Sequence, residues 1–266
     1  MSTLLVRPES GKYGRIVDVT PQSAGWAYVG FELHRLQSGE TVSAETGNRE
    51  ICLVFVSGKG TVEADGRNLG LLGERMSPFE GKPWSVYVPQ GLRWHVRAET
   101  EVELAVCSAP GLGGGLPVRV IGHDELGQET RGKGTNTRYV TNILPEGQPA
   151  DSLLVVEVIT PGGHTSSYPP HKHDQDNLPA ESYLEETYYH RLNPPQGFAF
   201  QRVYTDDRSL DEAIAVEDGD VVLVPKGYHP CAACHGYDLY YLNVMAGPKR
   251  TWKFNNAAEH EWLLKA

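Results

Sequence analysis

Two histidines separated by one lysine, His171 and His173 in "YPPHKHDQD" (168–176), are the residues of this chain whose type and spacing first suggest chemistry. Positions i and i+2 of an extended segment project to one face, so both imidazoles can approach a single ion. Two solvated imidazoles on a proline-bracketed loop would look the same, and the pair alone does not decide. The segment "YLEETYYHRL" (183–192) follows. As a strand it puts Glu186, Tyr188 and His190 on one face and Glu185, Thr187 and Tyr189 on the other. A carboxylate one strand away from a His-x-His can complete a metal's ligand set. Farther on, "GDVVLVPKGYHP" (219–230) carries His229 just beyond a Pro-x-Gly reversal.

The elements that must position these groups are short. Glycine (29) and proline (18) punctuate the chain throughout. Between them "EICLVFVSG" (50–58), "WSVYVPQG" (84–91) and "VELAVCSAPG" (102–111) read as strands that end in turns. "SLLVVEVITPGG" (152–163), "DVVLVPKG" (220–227) and "DLYYLNVMAG" (238–247) read the same way. Helical periodicity is confined to "NAAEHEWLLKA" (256–266) and, more weakly, "SLDEAIAV" (209–216). Many short strands with frequent turn signals predict an all-β sandwich or barrel.

A motif recurs. An apolar strand, then Pro-x-Gly, then an aromatic residue and a histidine appear as Pro89, Gly91, Trp94 and His95, and again as Pro225, Gly227, Tyr228 and His229. This is duplication at the level of motif. "APGLGGGLP" (109–117) reads as a flexible connection, and "RGKGTNTRYVTNIL" (131–144) opens the second half. The boundary is expected near Gln128 to Arg131, giving domains 1–130 and 131–266.

Composition narrows the function classes. A chain of 266 residues with 39% hydrophobic and 22% charged residues is globular and long enough for a real core. Its formal net charge of −10 lacks the dense positive surface that nucleic acid requires, although a local pocket of Arg or Lys can still take a small anion. No apolar run approaches the ~18 residues of a membrane-spanning helix. Neither a signal peptide nor a disulfide framework is indicated, so a cytoplasmic protein with reduced thiols is expected. Cys-x-x-Cys-His in "PCAACHG" (230–236) matches the c-type haem pattern, and with "HDE" (123–125) it suggests the zinc deaminase signature. Missing export and the missing strand–helix alternation argue against both, and Cys231 and Cys234 read as ordinary loop thiols.

His-x-His, a downstream Glu, then Gly-Asp and Pro-x-Gly-x-His resemble the two cupin motifs. By that resemblance one barrel holds one divalent metal through His171, His173, Glu186 and His229. Glu186 is preferred to Glu185 because Glu186-Thr187-Tyr188 follows the family's Glu-[Thr/Val]-Tyr order, although "DQDNLPAESYLE" lengthens the usual interval before it. At a finer level "SSYPPHKHD", "LEETYYHRLNPPQGFAFQRVY", "VPKGYHP", "GYDLYYLNVMAG" and "GWAYVGFELHRLQSGE" are similar to the IolB-type 5-deoxy-glucuronate isomerase family of myo-inositol catabolism. That family has two cupin barrels and is related to 5-keto-4-deoxyuronate isomerase.

The resemblance implies two tandem jelly-roll barrels with few helices, the first without a metal site. There Glu50 and His95 are too few ligands. The implied reaction is an aldose–ketose isomerisation of 5-deoxy-D-glucuronate to 5-dehydro-2-deoxy-D-gluconate. It needs a Lewis acid and a proton carrier, for which Glu185, Tyr188 and Tyr241 are the candidates. The substrate carboxylate calls for Arg or Lys: Arg202 first, then Arg138 and Lys226. Lys172, between the two histidines, should point away from the ion. Zinc or manganese is the expected metal, and iron, nickel or cobalt suits the same donors. The competing readings are a non-haem iron cupin dioxygenase and a non-enzymatic sugar-acid-binding cupin. A homodimer is expected, since association covers exposed sheet edges.

Overall fold

The apolar runs between the glycines pair as antiparallel strands in the computed structural model of the chain, which describes residues 2–9 and 11–265. All six strands anticipated above form: Arg49–Ser57, Ser85–Val88, Val102–Pro110, Leu154–Thr160, Val221–Val224 and Asp238–Ala246. Among the described residues no helix is long and apolar enough to cross a membrane.

The strands form two compact units. The first comprises Pro8–Gly127 and Asn142–Val155. Its six-stranded sheet runs, neighbour to neighbour, Arg119–Ile121, Ser85–Val88, Arg49–Ser57, Val102–Pro110, Gly30–Leu36 and Gly14–Val19. A four-stranded sheet (Thr41–Glu45, Arg93–Ala98, Gly60–Ala64, Arg67–Leu72) forms the other wall. Alternate residues of the central strand, Ile51, Leu53 and Phe55, turn inward and pack with Val62, Trp94 and Val96 of the smaller sheet. These contacts are hydrocarbon, the usual source of stability for a two-sheet sandwich.

The second unit comprises residues up to Arg7, Gln128–Thr141 and Val156 onward. Its units of sequence are not one continuous half. Leu5 and Val6 pair with Val222 and Val221, so the N-terminal strand completes the edge of the later sheet. The segment 142–155 belongs to the first unit, and a buried carboxylate there accounts for its attachment. Glu50 accepts the Tyr87 hydroxyl at 2.6 Å and the backbone N–H groups of Asp151, Ser152 and Leu153 at 2.7, 2.5 and 2.6 Å. With four donors on it, Glu50 serves as a structural anchor for the 151–153 turn.

In this second unit the central strand, Glu185–Asn193, lies between Val221–Val224 and Asp238–Ala246. The smaller sheet is Thr165–Ser166, Cys231–Ala233, Phe198–Tyr204 and Asp211–Glu217. The last of these corrects the weak helix reading of 209–216. Residues Asp211 to Glu217 alternate exposed and buried and pair along the whole of Phe198–Tyr204, so cross-strand pairing overrides the local helical preference. At the C-terminus the expected helix is a 3-10 segment, Ala258–Leu264, and Ala266 lies outside the described residues. It buries none of its residues and has no side-chain N-cap, so nothing stabilises a regular α-helix there.

One buried histidine links this barrel to pH. His190 Nε2 lies 2.9 Å from Gln201 Oε1, and burial pulls the imidazole down to about 4. An unfolded histidine titrates near 6.5, so the unfolded chain binds the proton first. Stability is therefore complete above pH ~6.5 and falls by up to about 3 kcal/mol as pH drops toward 4. Urea unfolding from pH 7 to 4.5 should show that loss, to which the buried His171 and His229 add in the same direction, and His190→Gln should make the decline shallower; an equally steep decline in the variant would refute the assignment.

Candidate metal centre

The Glu185–Asn193 strand aims Glu186, Tyr188 and His190 into the barrel, as its parity predicts. Glu186 is paired with Val224, the last residue before the Pro225-Lys226-Gly227 turn. That turn needs its glycine. Gly227 has φ 89°, and a Cβ there would lie 2.4 Å from the Tyr204 carbonyl oxygen. Reciprocal backbone bonds between Tyr204 and Tyr228 close the turn, at 2.9 and 2.7 Å, and leave His229 fully buried beside Glu186.

His171, His173 and His229 offer ligand nitrogens that lie within 4.8 Å of one another, all buried. Glu186 Oε2 lies 3.0 Å from His173 Nε2 and 3.3 Å from His229 Nε2. Donors about 2.1 Å from one ion have this kind of mutual spacing. The imidazoles are oriented from behind. His173 Nδ1 donates to the Leu184 carbonyl at 3.1 Å and His229 Nδ1 to the Gly227 carbonyl at 2.8 Å, which fixes each ring with its Nε2 facing the cluster. His229 Nε2 is buried and makes no hydrogen bond. His171 packs on Phe254, ring centroids 4.5 Å apart.

Electrostatics favour ligation. Burial, reinforced by His229 and His173, holds His171 well below the ordinary histidine value, and burial pulls His229 down to about 4. Both therefore present neutral imidazoles, the form a metal binds. Burial acts on His173 in the same direction, but its bond to Glu186 outweighs it and raises the value. Three imidazole nitrogens within reach of one ion, one of them buried without a hydrogen-bond partner, and a carboxylate beside two of them fit a divalent transition ion.

Lys172 does point away from the cluster. Its ammonium sits 2.7 Å from Asp174, 3.3 Å from Glu181 and 3.6 Å from Asp206. Asp174 also accepts the Gly227 N–H at 2.9 Å. The "DQDNLPAESYLE" insertion thus forms a hairpin, Asp174–Asn177 with Glu181–Tyr183, whose carboxylates neutralise the lysine and tie the His-x-His segment to the His229 turn.

A cavity opens on the cluster. Tyr188 and Tyr241 line it with His171 and Glu186. The Tyr188 hydroxyl is 3.0 Å from Ser167 Oγ, and that of Tyr241 is hydrogen-bonded to Ser166. Burial pushes both phenols up, so both stay protonated at neutral pH. Arg138 also lines the cavity, together with Arg131, Asn243 and Trp252. Sequence reasoning missed these last three and the two serines; "RGKGTNTR", a glycine-rich turn flanked by arginines, was the available signal.

Three anticipated residues lie elsewhere. Glu185 is buried on the opposite face of its strand, because neighbouring residues in a strand alternate. Arg202 grips Asp211 through two bonds of 2.7 Å and lies over Tyr204 on an exposed face. Lys226 borders a separate groove with Asp174, Asp206 and Asp207. In the first barrel Ile51 pairs with Val88, just before Pro89, as Glu186 pairs with Val224 just before Pro225. Ile51, not Glu50, is therefore the counterpart of Glu186.

Two double-sheet β units, one of them holding a buried group of three histidines that could hold a metal ion, define a protein with the two-barrel cupin fold. More narrowly, the chain belongs to the KduI/IolB family, whose model matches residues 4–263. It is 57% identical over 268 residues to the 5-deoxy-glucuronate isomerase of Geobacillus kaustophilus, covering 100% of this chain and 97% of that protein. It is 49% identical over 271 residues to the enzyme of the same name from Bacillus subtilis strain 168, covering both completely. The crystal structure of an IolB-like protein from Salmonella typhimurium superposes with a TM-score of 0.96 at 56% identity, over 98% of this chain and 99% of that one. Oxalate decarboxylase of Bacillus subtilis shares the fold, with a TM-score of 0.64 at 14% identity over 96% and 80% of the two chains.

His171→Ala and His229→Ala should each lower bound metal at least tenfold, whereas His95→Ala should leave it unchanged. Elemental analysis of the purified proteins reads this, and equal loss from His95→Ala would refute a single site in the second barrel.

Proposed function

We propose that this chain is a metal-dependent aldose–ketose isomerase that converts 5-deoxy-D-glucuronate to 5-dehydro-2-deoxy-D-gluconate, in the cytoplasm, as a step of myo-inositol catabolism. The observation that carries the reading is full-length similarity, at 48–57% identity, to relatives named for this activity. The donor cluster supplies a physical route to it. His171, His173, Glu186 and His229 hold one divalent ion, zinc or manganese; iron, nickel and cobalt accept the same donors. When bound, that ion polarises neighbouring carbonyl and hydroxyl oxygens.

Isomerisation moves a proton between adjacent carbons through an enediol, and charge builds on oxygen as it does so. Tyr188 and Tyr241 are protonated phenols on the cavity wall, with ring centroids 4.9 Å apart. They donate hydrogen bonds to the oxygens that gain charge as the enediol forms. Ser167 and Ser166 hold the two hydroxyls in position. Val140, Val156 and Val158 on the same wall keep water from the reacting carbons.

Anaerobic assay on 5-deoxy-glucuronate with NMR of the product should give the ketose without oxygen uptake. Tyr188→Phe and Tyr241→Phe should each lower kcat by about 10²-fold with metal retained. Oxygen consumption, or no turnover by metal-replete protein, would overturn the reading in favour of a dioxygenase or a binding protein. The reading includes a homodimer, supported by the exposed Phe198 and Phe200 on one sheet face. Sedimentation equilibrium at micromolar concentration should give twice the chain mass, and the mass of one chain would exclude it.

A further inference from the structure

The walls of the cavity carry charge of the opposite sign to the rest of the protein. The chain has a formal net charge of −10. Yet the open vestibule of about 1080 Å³ that leads to His171 is bordered by Arg131, Lys133 and Arg138 and by no Asp or Glu among its described lining residues. In the deeper cavity the same two arginines stand opposite Glu186, the one carboxylate there. Arg131 and Arg138, with His171, thus line both entrance and reaction chamber.

Both guanidiniums are held in place by neighbouring groups. Arg131 ends the Gly127–Arg131 strand and Arg138 begins Arg138–Leu144, with a short connection between them that includes the 3-10 turn Gly134–Asn136. Gly132 opens that connection: its φ is 79°, and a Cβ would meet the Asn136 carbonyl oxygen at 2.0 Å and Arg138 Nη1 at 2.8 Å. Arg138 Nη1 donates to the carbonyl and the side-chain oxygen of Asn136, both at 3.0 Å. Arg131 lies over the Trp252 ring at 5.3 Å and donates to exposed Glu129 at 2.6 Å. Burial, with Arg131 adding to it, works against the charge on Arg138, a penalty that an anion between the two would offset.

We propose that Arg131 and Arg138 form a two-guanidinium subsite for the carboxylate of an open-chain sugar acid, with the carbonyl end of the same molecule directed to the histidine cluster. The assignment rests on the isomerase reading for the identity of the substrate, and on the charge and geometry of the wall for the carboxylate. Planar guanidiniums match a carboxylate through paired N–H donors. A neutral hydroxymethyl group would leave Arg138, whose guanidinium bonds to the neutral Asn136, without a counter-charge, so the same subsite disfavours neutral aldoses. Lys133 at the rim extends the positive field outward and favours capture of an anion by an otherwise acidic protein.

The test uses metal-replete full-length protein. Arg131→Gln and Arg138→Gln should each lower kcat/KM for 5-deoxy-glucuronate by about 10- to 100-fold, chiefly through KM, with metal content unchanged. Arg202→Gln, on the exposed face, should match wild type. Calorimetric titration with gluconate, which has the carboxylate and no carbonyl, separates binding from turnover: wild type should bind it in a salt-sensitive manner, each variant at least tenfold more weakly, and sorbitol not at all. Unchanged kcat/KM in both variants would overturn the subsite. So would gluconate binding that survives both substitutions and disappears when the metal is removed, since the carboxylate would then sit on the ion. Gluconate binding that depends on the arginines, without turnover of 5-deoxy-glucuronate, would support the subsite and overturn the isomerase assignment.

Discussion

Three buried imidazoles and a carboxylate beside them must be taken out of water before they hold anything, and the surrounding strands and turns of the second barrel answer that constraint. A buried polar group without a partner costs roughly 1–3 kcal/mol, and repulsion among the donors adds to it. The fold limits the penalty from the outside. His173 and His229 each give their Nδ1–H to a backbone carbonyl, at Leu184 and Gly227. Those carbonyls belong to the strand entry and the turn that also position Glu186 and His229. The groups that deliver the ligands therefore also orient them, and little freedom is left to lose when an ion binds.

The duplicated scaffold shows what this arrangement replaces. Ile51, Leu53 and Phe55 in the first unit occupy the inward positions that Glu186, Tyr188 and His190 occupy in the second, judged by the pairing of Ile51 with Val88 and of Glu186 with Val224. At those three positions the first interior carries hydrocarbon, whose burial is favourable. The second substitutes carboxylate, phenol and imidazole, and each must find a partner: His173 for Glu186, Ser167 for Tyr188, Gln201 for His190. One barrel stabilises, and the other accepts polar burial for the sake of a site.

Charge is divided in a similar way. Carboxylates gather around Lys172, where Asp174, Glu181 and Asp206 hold the back of the His-x-His segment. Cations gather on the cavity wall, where Arg131 and Arg138 face the histidines. The two sets lie on opposite sides of one short stretch of chain. Lys172 and its histidine neighbours alternate in direction along it, so one dipeptide step separates a structural ion cluster from a chemical one.

Strand positions and the parity of His171, His173 and Glu186 were legible in the sequence, because both follow from the two-residue repeat of an extended chain and need no knowledge of partners. The Pro225-Lys226-Gly227 turn was legible for a related reason, since only glycine tolerates its backbone there. Pairing across the chain was not. That Leu5 and Val6 complete the edge of the later sheet, that Glu50 captures the 151–153 backbone, and that 209–216 is a strand depend on contacts from distant segments, which override local preference. The cations divided in the same manner. Arg202 looked well placed on its strand and went to Asp211, while Arg131 reached the cavity through a glycine turn. The sequence by itself determined which groups could point together; only the tertiary structure decided which of them meet, because parity is a local property of the backbone and proximity is a property of the folded chain.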